Sequence, residues 1–188
     1  MRIISGSFKG MKILEPKDLE TRPLKDLAKE SIFNIIEHSN KFKINLKNSN
    51  ILDLFSGVGS FGIECLSRGV KKVIFIENYS GVLPILKKNL LQLKLVKNYE
   101  IIENDIYNNN LGIKLNKKFD LIFLDPPYKD KNLNKLFIKI ENIKILKKDG
   151  LIVLHRHKLE KDTFPPKFKI IEEKKYGISK IIFISYLN

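Results

Sequence analysis

The sequence predicts an α/β fold in which helices cover both faces of a mostly parallel sheet. From residue 50 onwards, short runs rich in Ile, Val, Leu and Phe alternate with amphipathic segments of helical length. Successive parallel strands need a crossover connection, which a helix usually supplies. With 188 residues, of which 43% are hydrophobic, the chain can bury one such core.

The N-terminal part of the chain predicts a β-hairpin followed by a helix. RIIS (2–5) and MKIL (11–14) flank a short turn region and are typical of a hairpin. Residues 24–38 predict a helix that begins just after Pro23, a residue favoured in the first turn. Its apolar residues are spaced for one buried face: Leu24, Leu27, Ala28, Ile32, Ile35 and Ile36.

A polar, turn-rich stretch after residue 40 marks the boundary to the main domain. We therefore predict an extension at residues 1–40 and a main domain at residues 41–188. The predicted strands of the main domain are 50–55, 71–77, 99–105, 119–125, 150–156, 168–175 and 180–187. The predicted helices are 60–69, 80–95 and 132–148. The last two strands flank a YGIS turn and predict an antiparallel terminal hairpin.

Charge and composition limit the possible functions. The formal net charge of +14 favours an anionic partner such as a nucleic acid, although a general bias towards Lys, Asn and Ile would give the same charge. No apolar run is long enough to span a bilayer, and the N-terminus has no apolar leader, so we expect a cytoplasmic protein without membrane contact. Cys65 is the single cysteine, which excludes an internal disulfide. His155 and His157 lack an apparent third ligand, so no metal site is predicted.

A glycine-rich loop follows the first strand of the main domain. Ligands bind at the carboxyl ends of strands in such sheets, and here the strand ends in DLFSGVG, residues 53–59. Gly57 and Gly59 permit a tight turn and a close approach of the backbone to a ligand. With Gly62 the spacing matches a dinucleotide fingerprint, but Asp53 would repel a pyrophosphate. The loop therefore favours a ligand with a positive charge.

Two further acids stand at successive strand ends. Glu77 follows the glycines by about 20 residues, where a carboxylate can accept hydrogen bonds from the two hydroxyls of a ribose. Asp105 ends the third strand, where its carboxylate or a backbone amide could bind the edge of an adenine. Together with the glycine loop, these acids predict a site for an adenosine-type ligand.

The fourth strand ends in the unusual segment DPPY, residues 125–128. Pro126 and Pro127 cannot donate to a sheet ladder, so the strand must stop and its carbonyl groups are expected to become free acceptors. Asp125 adds a carboxylate, and Tyr128 adds a flat ring on which a base can stack. The segment therefore predicts a grip on the exocyclic amino group of a planar base, with the nitrogen lone pair aimed at an electrophile.

These motifs together resemble class I S-adenosylmethionine-dependent methyltransferases that modify an amino nitrogen. RIISGSFKGMKI, TRPLKDLAKESIFN, DLFSGVGSFGIECLSRG, FLDPPY and a late YG resemble more specifically the RsmD family, over nearly the whole chain. The resemblance implies a Rossmann-like three-layer sandwich with a seven-stranded sheet. It also implies a monomeric enzyme that methylates N2 of one guanine in small-subunit ribosomal RNA, within an assembling subunit.

The resemblance also implies residue roles. The cofactor would contact Asp53, Phe55, Ser56, Gly57 and Gly59 at its methionine end, Glu77 at its ribose, Asp105 and Ile106 at its adenine, and Asp125 near the transferred methyl group. The guanine would be held by Asp125, Pro126 and Tyr128, and the RNA phosphates by Arg2, Lys9, Arg22 and Lys29. The chain departs from the family at Leu24, where Thr is usual, and at Lys9 and Lys29, where Arg is usual.

Other classes of protein share part of this pattern. A DNA adenine-N6 or protein glutamine methyltransferase would use similar acceptor geometry, but the RP…E…FN segment argues against both. A nicotinamide dehydrogenase would explain the glycines and leave DPPY unexplained. A non-catalytic RNA-binding module would explain the charge and neither motif.

Overall fold

The computed structural model describes residues 1–16, 24–108, 115 and 117–187. The strands are β1 Asn50–Leu54, β2 Lys72–Glu77, β3 Tyr99–Glu103, β4 Phe119–Leu124, β5 Leu146–His157, β6 Phe168–Tyr176 and β7 Ser179–Tyr186. They form one sheet in the order β3-β2-β1-β4-β5-β7-β6, in which β7 is antiparallel to both neighbours and the other pairs are parallel. The predicted α/β class, the seven strands and the antiparallel end are confirmed.

Helices cover both faces of the sheet and make three layers. They are α1 Asp26–His38, α2 Ser60–Ser67, α3 Leu83–Leu91 and α4 Leu133–Asn142, with a 3-10 turn at Leu46–Asn48. Because side chains alternate along a strand, neighbouring residues such as Ile51 and Leu52 enter different cores. The first core lies under α1, α2 and α3, and the second lies under α4. Within the described ranges, no helix is long and apolar enough to cross a membrane.

The junction between α4 and β5 differs from the sequence prediction. The helix ends at Asn142, and β5 begins at Leu146, inside the segment predicted as helix. Lys144 has a φ of 53°, a left-handed conformation that interrupts the helix. Ile145 and Leu146 are nevertheless buried in the second core, so the apolar pattern continues while the backbone changes type.

Helix α1 confirms the predicted helix with one wrong position on its buried face. Leu27 is 68% exposed, whereas Ala28, Ile32 and Ile36 are buried. Phe33 completes the face by stacking on Phe61 of α2, with ring centroids 5.2 Å apart. The buried face of α1 is therefore narrower than predicted on the side of Leu27.

The predicted N-terminal hairpin is present as a single antiparallel bridge between Arg2 and Lys12 rather than as two full strands. Ile3 N donates to Met11 O at 2.9 Å, and Ile13 N donates to Met1 O at 3.1 Å. Ile3 and Ile13 are buried in the first core together with residues of the main domain. The boundary at residue 40 stays a prediction, because this core runs through both predicted units.

Glu64 of α2 connects the N-terminal hairpin to the main domain through hydrogen bonds. Its side chain is fully buried, and its carboxylate accepts hydrogen bonds from Ile4 N at 2.7 Å and Ser5 N at 2.9 Å. Arg68 Nε donates to the same carboxylate at 3.0 Å. The buried charge is thus satisfied by two backbone donors and one cation, as a buried carboxylate requires.

Lys29 belongs to the same buried network, which corrects its assignment as a phosphate contact. Its side chain is 0% exposed, and Nζ donates to Arg2 O at 2.7 Å and to Ser60 Oγ at 3.2 Å, with Glu64 Oε2 at 3.9 Å. Burial lowers the pKa of this ammonium, against the opposing effects of Glu64 and Asp26. RNA cannot reach a group enclosed in this way. Arg22 lies outside the described residues.

We expect Glu64→Ala to lower the free energy of unfolding by about 3 to 5 kcal/mol, because it leaves two backbone N–H groups without an acceptor and removes the buried anion that faces Arg68 and Lys29. Urea unfolding measures the change. The matched control is Glu30→Ala on the exposed side of α1, where a change within about 0.5 kcal/mol is expected. Equal effects of the two substitutions would contradict the role of Glu64.

Candidate active site

A cleft of about 880 Å³ opens at the carboxyl ends of the strands. It lies at the end of β1, which has β2 on one side and β4 on the other. The chain connections after these strands run in opposite directions there, and this is the usual ligand position in such sheets. The lining contains the predicted residues Asp53, Phe55, Ser56, Gly57, Glu77, Asp105, Ile106, Asp125, Pro126 and Tyr128. Gly59 does not belong to the lining, although it lies in the same loop.

The glycine loop is held in an unusual backbone conformation. Phe55, Gly57 and Gly59 have positive φ angles of 58°, 54° and 84°. A Cβ on Gly59 would come within 2.5 Å of Leu86 Cδ1, and one on Gly62 within 2.2 Å of Phe75 Cε1. These two glycines therefore permit the turn and the packing of α2 against the sheet.

Ser56 stabilises this loop from inside. Its hydroxyl donates to Asp53 O at 2.6 Å and contacts Ile76 O at 3.1 Å, while its backbone N–H donates to Ile76 O at 3.0 Å. Ser56 lines the cleft, but its hydroxyl is directed into the loop. Its side chain thus fixes the shape of the site.

Glu77 connects the ends of β1 and β2. Its carboxylate accepts hydrogen bonds from Gly57 N at 2.7 Å, Asn78 N at 2.9 Å and Tyr79 N at 2.9 Å. Oε1 takes two of these donors and Oε2 takes one, and each oxygen can accept two bonds. Considering donors from the described residues only, one acceptor position on Oε2 is left, which suits a ligand hydroxyl. Glu77 also has a structural role that sequence alone did not indicate.

Asp53 is a buried carboxylate in the wall of the cleft. It is 1% exposed, its Oδ2 accepts from Gly62 N at 3.0 Å, and its Oδ1 has no hydrogen-bond partner among the described residues. Burial raises the pKa of Asp53 well above its usual range, and the nearby charges of Asp125 and Glu77 raise it further, against the effect of the Gly62 hydrogen bond. A positively charged ligand would stabilise the ionised form.

The loop after β3 forms the opposite wall of the cleft. Asp105 is exposed, and its Oδ1 accepts a hydrogen bond from Tyr107 N at 2.8 Å, while Ile106 is buried. Lys139 of α4 donates to Ile106 O at 2.9 Å and also to Asn108 O. The side chain of Lys139 therefore holds the loop against α4. The carboxylate of Asp105 stabilises the turn at residues 105–107.

Tyr107 joins this wall to the segment after β4. Its hydroxyl donates to Asp130 Oδ2 at 2.6 Å, and its ring meets Phe55 edge-on at 6.3 Å. Burial, followed by the hydrogen bond to the Asp130 carboxylate, raises the pKa of Tyr107. The phenol thus stays protonated and donates across the cleft.

Residues 125–130 follow β4 directly and contain the predicted catalytic residues Asp125, Pro126 and Tyr128, so we call them the catalytic segment. Asp125 Oδ1 lies 2.8 Å from His155 Nδ1. The expectation that the proline carbonyls are free is wrong for Pro127, whose oxygen accepts from Asp130 N at 2.9 Å and from Arg156 Nη1 at 3.2 Å. Two prolines leave few donors within the segment, so a side chain from β5 supplies one.

Sequence reasoning missed three contacts from the end of β5. His155 and Arg156 are buried against the catalytic segment, and His157 meets the Tyr128 ring edge-on at 5.1 Å. Local sequence patterns do not show these contacts, because His155 and Asp125 are 30 residues apart in the chain. The signal was the alternation of His155 and His157 at the end of a strand parallel to β4.

The cleft is acidic within a strongly basic chain. The carboxylates of Asp53, Glu77, Asp105, Asp125 and Asp130 line it, and Lys129 is the one lysine or arginine among the described lining residues. The net charge of the whole chain is +14. This local reversal of charge favours a cationic ligand in the cleft.

The sheet order, the antiparallel β7 and the acidic cleft at the switch point define a class I methyltransferase. The family model described as "Conserved hypothetical protein 95" matches residues 1–185. The chain belongs to this family, the RsmD family. The resemblance inferred from the sequence motifs is confirmed.

Similar proteins match over nearly their whole length. YlbH of Bacillus subtilis is 35% identical over 183 residues, which cover 96% of each chain. "Ribosomal RNA small subunit methyltransferase D" of Buchnera aphidicola is 32% identical and covers 100% of this chain and 92% of its own. Among solved structures, YhhF of Escherichia coli has a TM-score of 0.79 at 27% identity, covering 99% of this chain and 97% of its own. HI0767 of Haemophilus influenzae has a TM-score of 0.76 at 32% identity, covering 100% and 99%.

Enzymes of this class use S-adenosylmethionine, and the cleft residues fit that molecule. Asp53 shows whether the cleft fits the cofactor. It is buried in the lining of the cleft, and one of its carboxylate oxygens has no partner among the described residues. A buried polar atom of this kind needs a partner, and a carboxylate needs a positive one. The cationic methionine part of the cofactor meets both requirements.

We expect Asp53→Asn to stabilise the cofactor-free protein at neutral pH. A carboxyl whose pKa is raised in the folded state gives its full stabilisation below the unfolded value of about 4, and loses it as the pH rises through the folded value. Asn removes that loss, so the increase in Tm should appear at pH 7 to 8 and disappear near pH 4. Thermal unfolding at both pH values measures it.

The same substitution should weaken S-adenosylmethionine binding by roughly 1 to 3 kcal/mol, because a charged contact is lost. Asp149→Asn near the start of β5 is the exposed control, for which neither change is expected. A substitution at Asp53 that destabilises the protein at neutral pH would contradict the raised pKa.

Glu77→Ala should both weaken cofactor binding and lower Tm, because a ligand acceptor and the acceptor of three backbone N–H groups are lost together. We expect roughly 1 to 3 kcal/mol in affinity, measured by calorimetry. Glu103→Ala at the exposed end of β3 is the control. Unchanged affinity would remove Glu77 from the binding site.

Proposed function

We propose that this protein transfers a methyl group from S-adenosylmethionine to the exocyclic N2 of a guanine in small-subunit ribosomal RNA. The observation that carries the proposal is the position of Asp125, Pro126 and Tyr128, which border the same cleft as Asp53 and Glu77. An amine-binding segment thus adjoins a site suited to a cationic cofactor. The name of the Buchnera relative supports ribosomal RNA as the substrate.

The cofactor supplies an electrophilic methyl group, and the chain supplies orientation and charge. The N2 amine of guanine is a weak nucleophile because its lone pair is conjugated with the ring. Asp125 accepts a hydrogen bond from the amine, which favours pyramidalisation and directs the lone pair. As positive charge develops on nitrogen, the carboxylate stabilises it and accepts the departing proton.

A guanine that is stacked within RNA cannot present N2 to this cleft, so the target base must be unpaired or flipped out. Tyr128 offers its ring for stacking, and the ring is already placed by His157 and by Ser179, whose Oγ lies 3.3 Å from the Tyr128 hydroxyl. A ring with few remaining conformations loses little entropy when the base arrives.

Basic residues of the extension are the proposed contacts to RNA phosphates. The Arg2 side chain is 72% exposed, and Lys9 is also exposed. Such contacts fix the register of the RNA without reading its sequence. We propose that the protein acts as a monomer in the cytoplasm, on ribosomal RNA within an assembling small subunit.

The experiment that tests the proposal follows radiolabelled methyl groups from S-adenosylmethionine into three substrates: small ribosomal subunits that lack the modification, their deproteinised RNA, and DNA. Nucleoside analysis identifies the product. We expect N2-methylguanosine from one or both RNA substrates. N6-methyladenine in DNA would keep the amine chemistry and overturn the substrate, and no labelled product would favour a non-catalytic RNA-binding module.

Asp125→Ala should reduce methyl transfer by about 100-fold or more, because a positioned acceptor of the transferred proton is removed. The affinity for S-adenosylhomocysteine should change little. Asp149→Ala, an exposed acid away from the cleft, is the control and should retain the parent rate. An Asp125→Ala variant as active as the parent would contradict the proposed mechanism.

A further inference from the structure

We infer that the end of β5 positions the catalytic segment, and that His155 is the residue that orients the Asp125 carboxylate. The inference rests on the proposed function and adds a positioning residue to it. It stands on contacts that three consecutive residues, His155, Arg156 and His157, make with residues 125–130.

The sheet register brings these residues to the catalytic segment. β4 and β5 are parallel and pair Leu124 with Leu154, so Asp125 comes next to His155. Side chains alternate along a strand, which places His155 and His157 on one face and Arg156 on the other. The segment is therefore contacted from both faces of the sheet.

His155 makes the contact closest to the proposed chemistry. Its side chain is 4% exposed, that of Asp125 is 12% exposed, and Nδ1 lies 2.8 Å from Asp125 Oδ1. We assign the hydrogen of this contact to Nδ1, because a carboxylate oxygen accepts it. One oxygen of Asp125 is thereby fixed, which limits rotation of the carboxylate and sets the direction from which the other oxygen can meet an amine.

Arg156 holds the backbone of the same segment. Its guanidinium is buried and donates to Pro127 O at 3.2 Å and to Asp130 O at 3.1 Å, while Nε donates to Asp162 at 3.2 Å. The planar guanidinium offers five N–H donors, which suits a segment in which two residues are prolines without N–H groups. Asp162 balances its charge.

His157 places the aromatic ring. Its ring and that of Tyr128 meet at an angle of 77°, and the Tyr128 hydroxyl lies near Ser179, which pairs with His157 across β5 and β7. The three neighbours on β5 thus act on three different parts of the segment: the carboxylate, the backbone carbonyls and the stacking ring.

A positioning residue of this kind affects the rate of the chemical step more than binding. Misplacement of a reacting group by about 1 Å can reduce a rate about 100-fold. His155 is not among the described residues that line the cleft, so we expect cofactor affinity to depend little on it. A lower rate of methyl transfer with unchanged cofactor affinity therefore distinguishes a positioning role from a general loss of structure.

The test compares His155→Leu, which removes the donor, with His155→Asn, whose side-chain amide can donate from nearly the position of Nδ1. Single-turnover methyl transfer is measured with saturating S-adenosylmethionine and RNA. We expect a loss of about 100-fold for His155→Leu and recovery to within about 5-fold of the parent for His155→Asn. His38→Leu, an exposed histidine of α1, is the matched control and should keep the parent rate.

Two further measurements accompany the rates: calorimetric affinity for S-adenosylhomocysteine, and the thermal midpoint of each variant. Parent-like affinity in both His155 variants, with comparable thermal midpoints, supports positioning. A parent-like rate for His155→Leu would overturn the inference, and so would equal losses in the two variants. A loss of rate matched by a loss of cofactor affinity would also overturn it.

Nitrogen NMR of the histidine rings separates this inference from the proposed function. We expect His155 in the parent to show the tautomer with hydrogen on Nδ1, and expect Asp125→Ala to change that signal. If the parent methylates no substrate but shows this dependence, the proposed function is wrong and the contact stands. If the parent is active and its His155 signal does not respond to Asp125→Ala, the positioning role is wrong.

Discussion

The site depends on the parallel pairing of β1 with β2 on one side and β4 on the other. This arrangement brings the carboxyl ends of three strands to one edge, where the chain leaves them in different directions. Asp53, Glu77 and Asp125 are far apart in sequence and adjacent in space for this reason alone. No local feature of the loops could assemble the same set of carboxylates.

Several residues that line the cleft also stabilise the backbone around it. Glu77 accepts three backbone N–H groups, Asp105 caps the turn that holds Tyr107, and Ser56 directs its hydroxyl into the glycine loop. The loops are thereby fixed before a ligand arrives, which lowers the entropy lost on binding. The acids of the site therefore contribute in two ways: they accept hydrogen bonds from backbone N–H groups, and they supply negative charge.

Much of the fold could be predicted from the sequence because strand and helix periodicity is local. The strand ends also predicted the acids of the cleft except Asp130, which lies further along the segment after β4. Contacts between residues distant in the chain could not be predicted in this way. From sequence alone Lys29 is expected at the surface, but Glu64 and the N-terminal hairpin enclose it. His155 is likewise expected to be an ordinary sheet-end residue, but the pairing of β5 with β4 brings it next to Asp125. The end of α4 was missed because the second core accepts apolar residues on both sides of Lys144, so the apolar pattern continues from the helix into β5.

The reversal of charge between the cleft and the rest of the chain gives the proposed reaction its selectivity for a base over a backbone. A net charge of +14 favours the approach of RNA, the proposed substrate. In the proposed reaction we expect the carboxylates in the cleft to repel phosphates and attract the cationic cofactor, which would keep the sugar-phosphate chain at the rim and admit an uncharged base. We therefore propose that the negative charge of Asp53 and Asp125 keeps phosphates out of the cleft and also stabilises the cationic part of the cofactor.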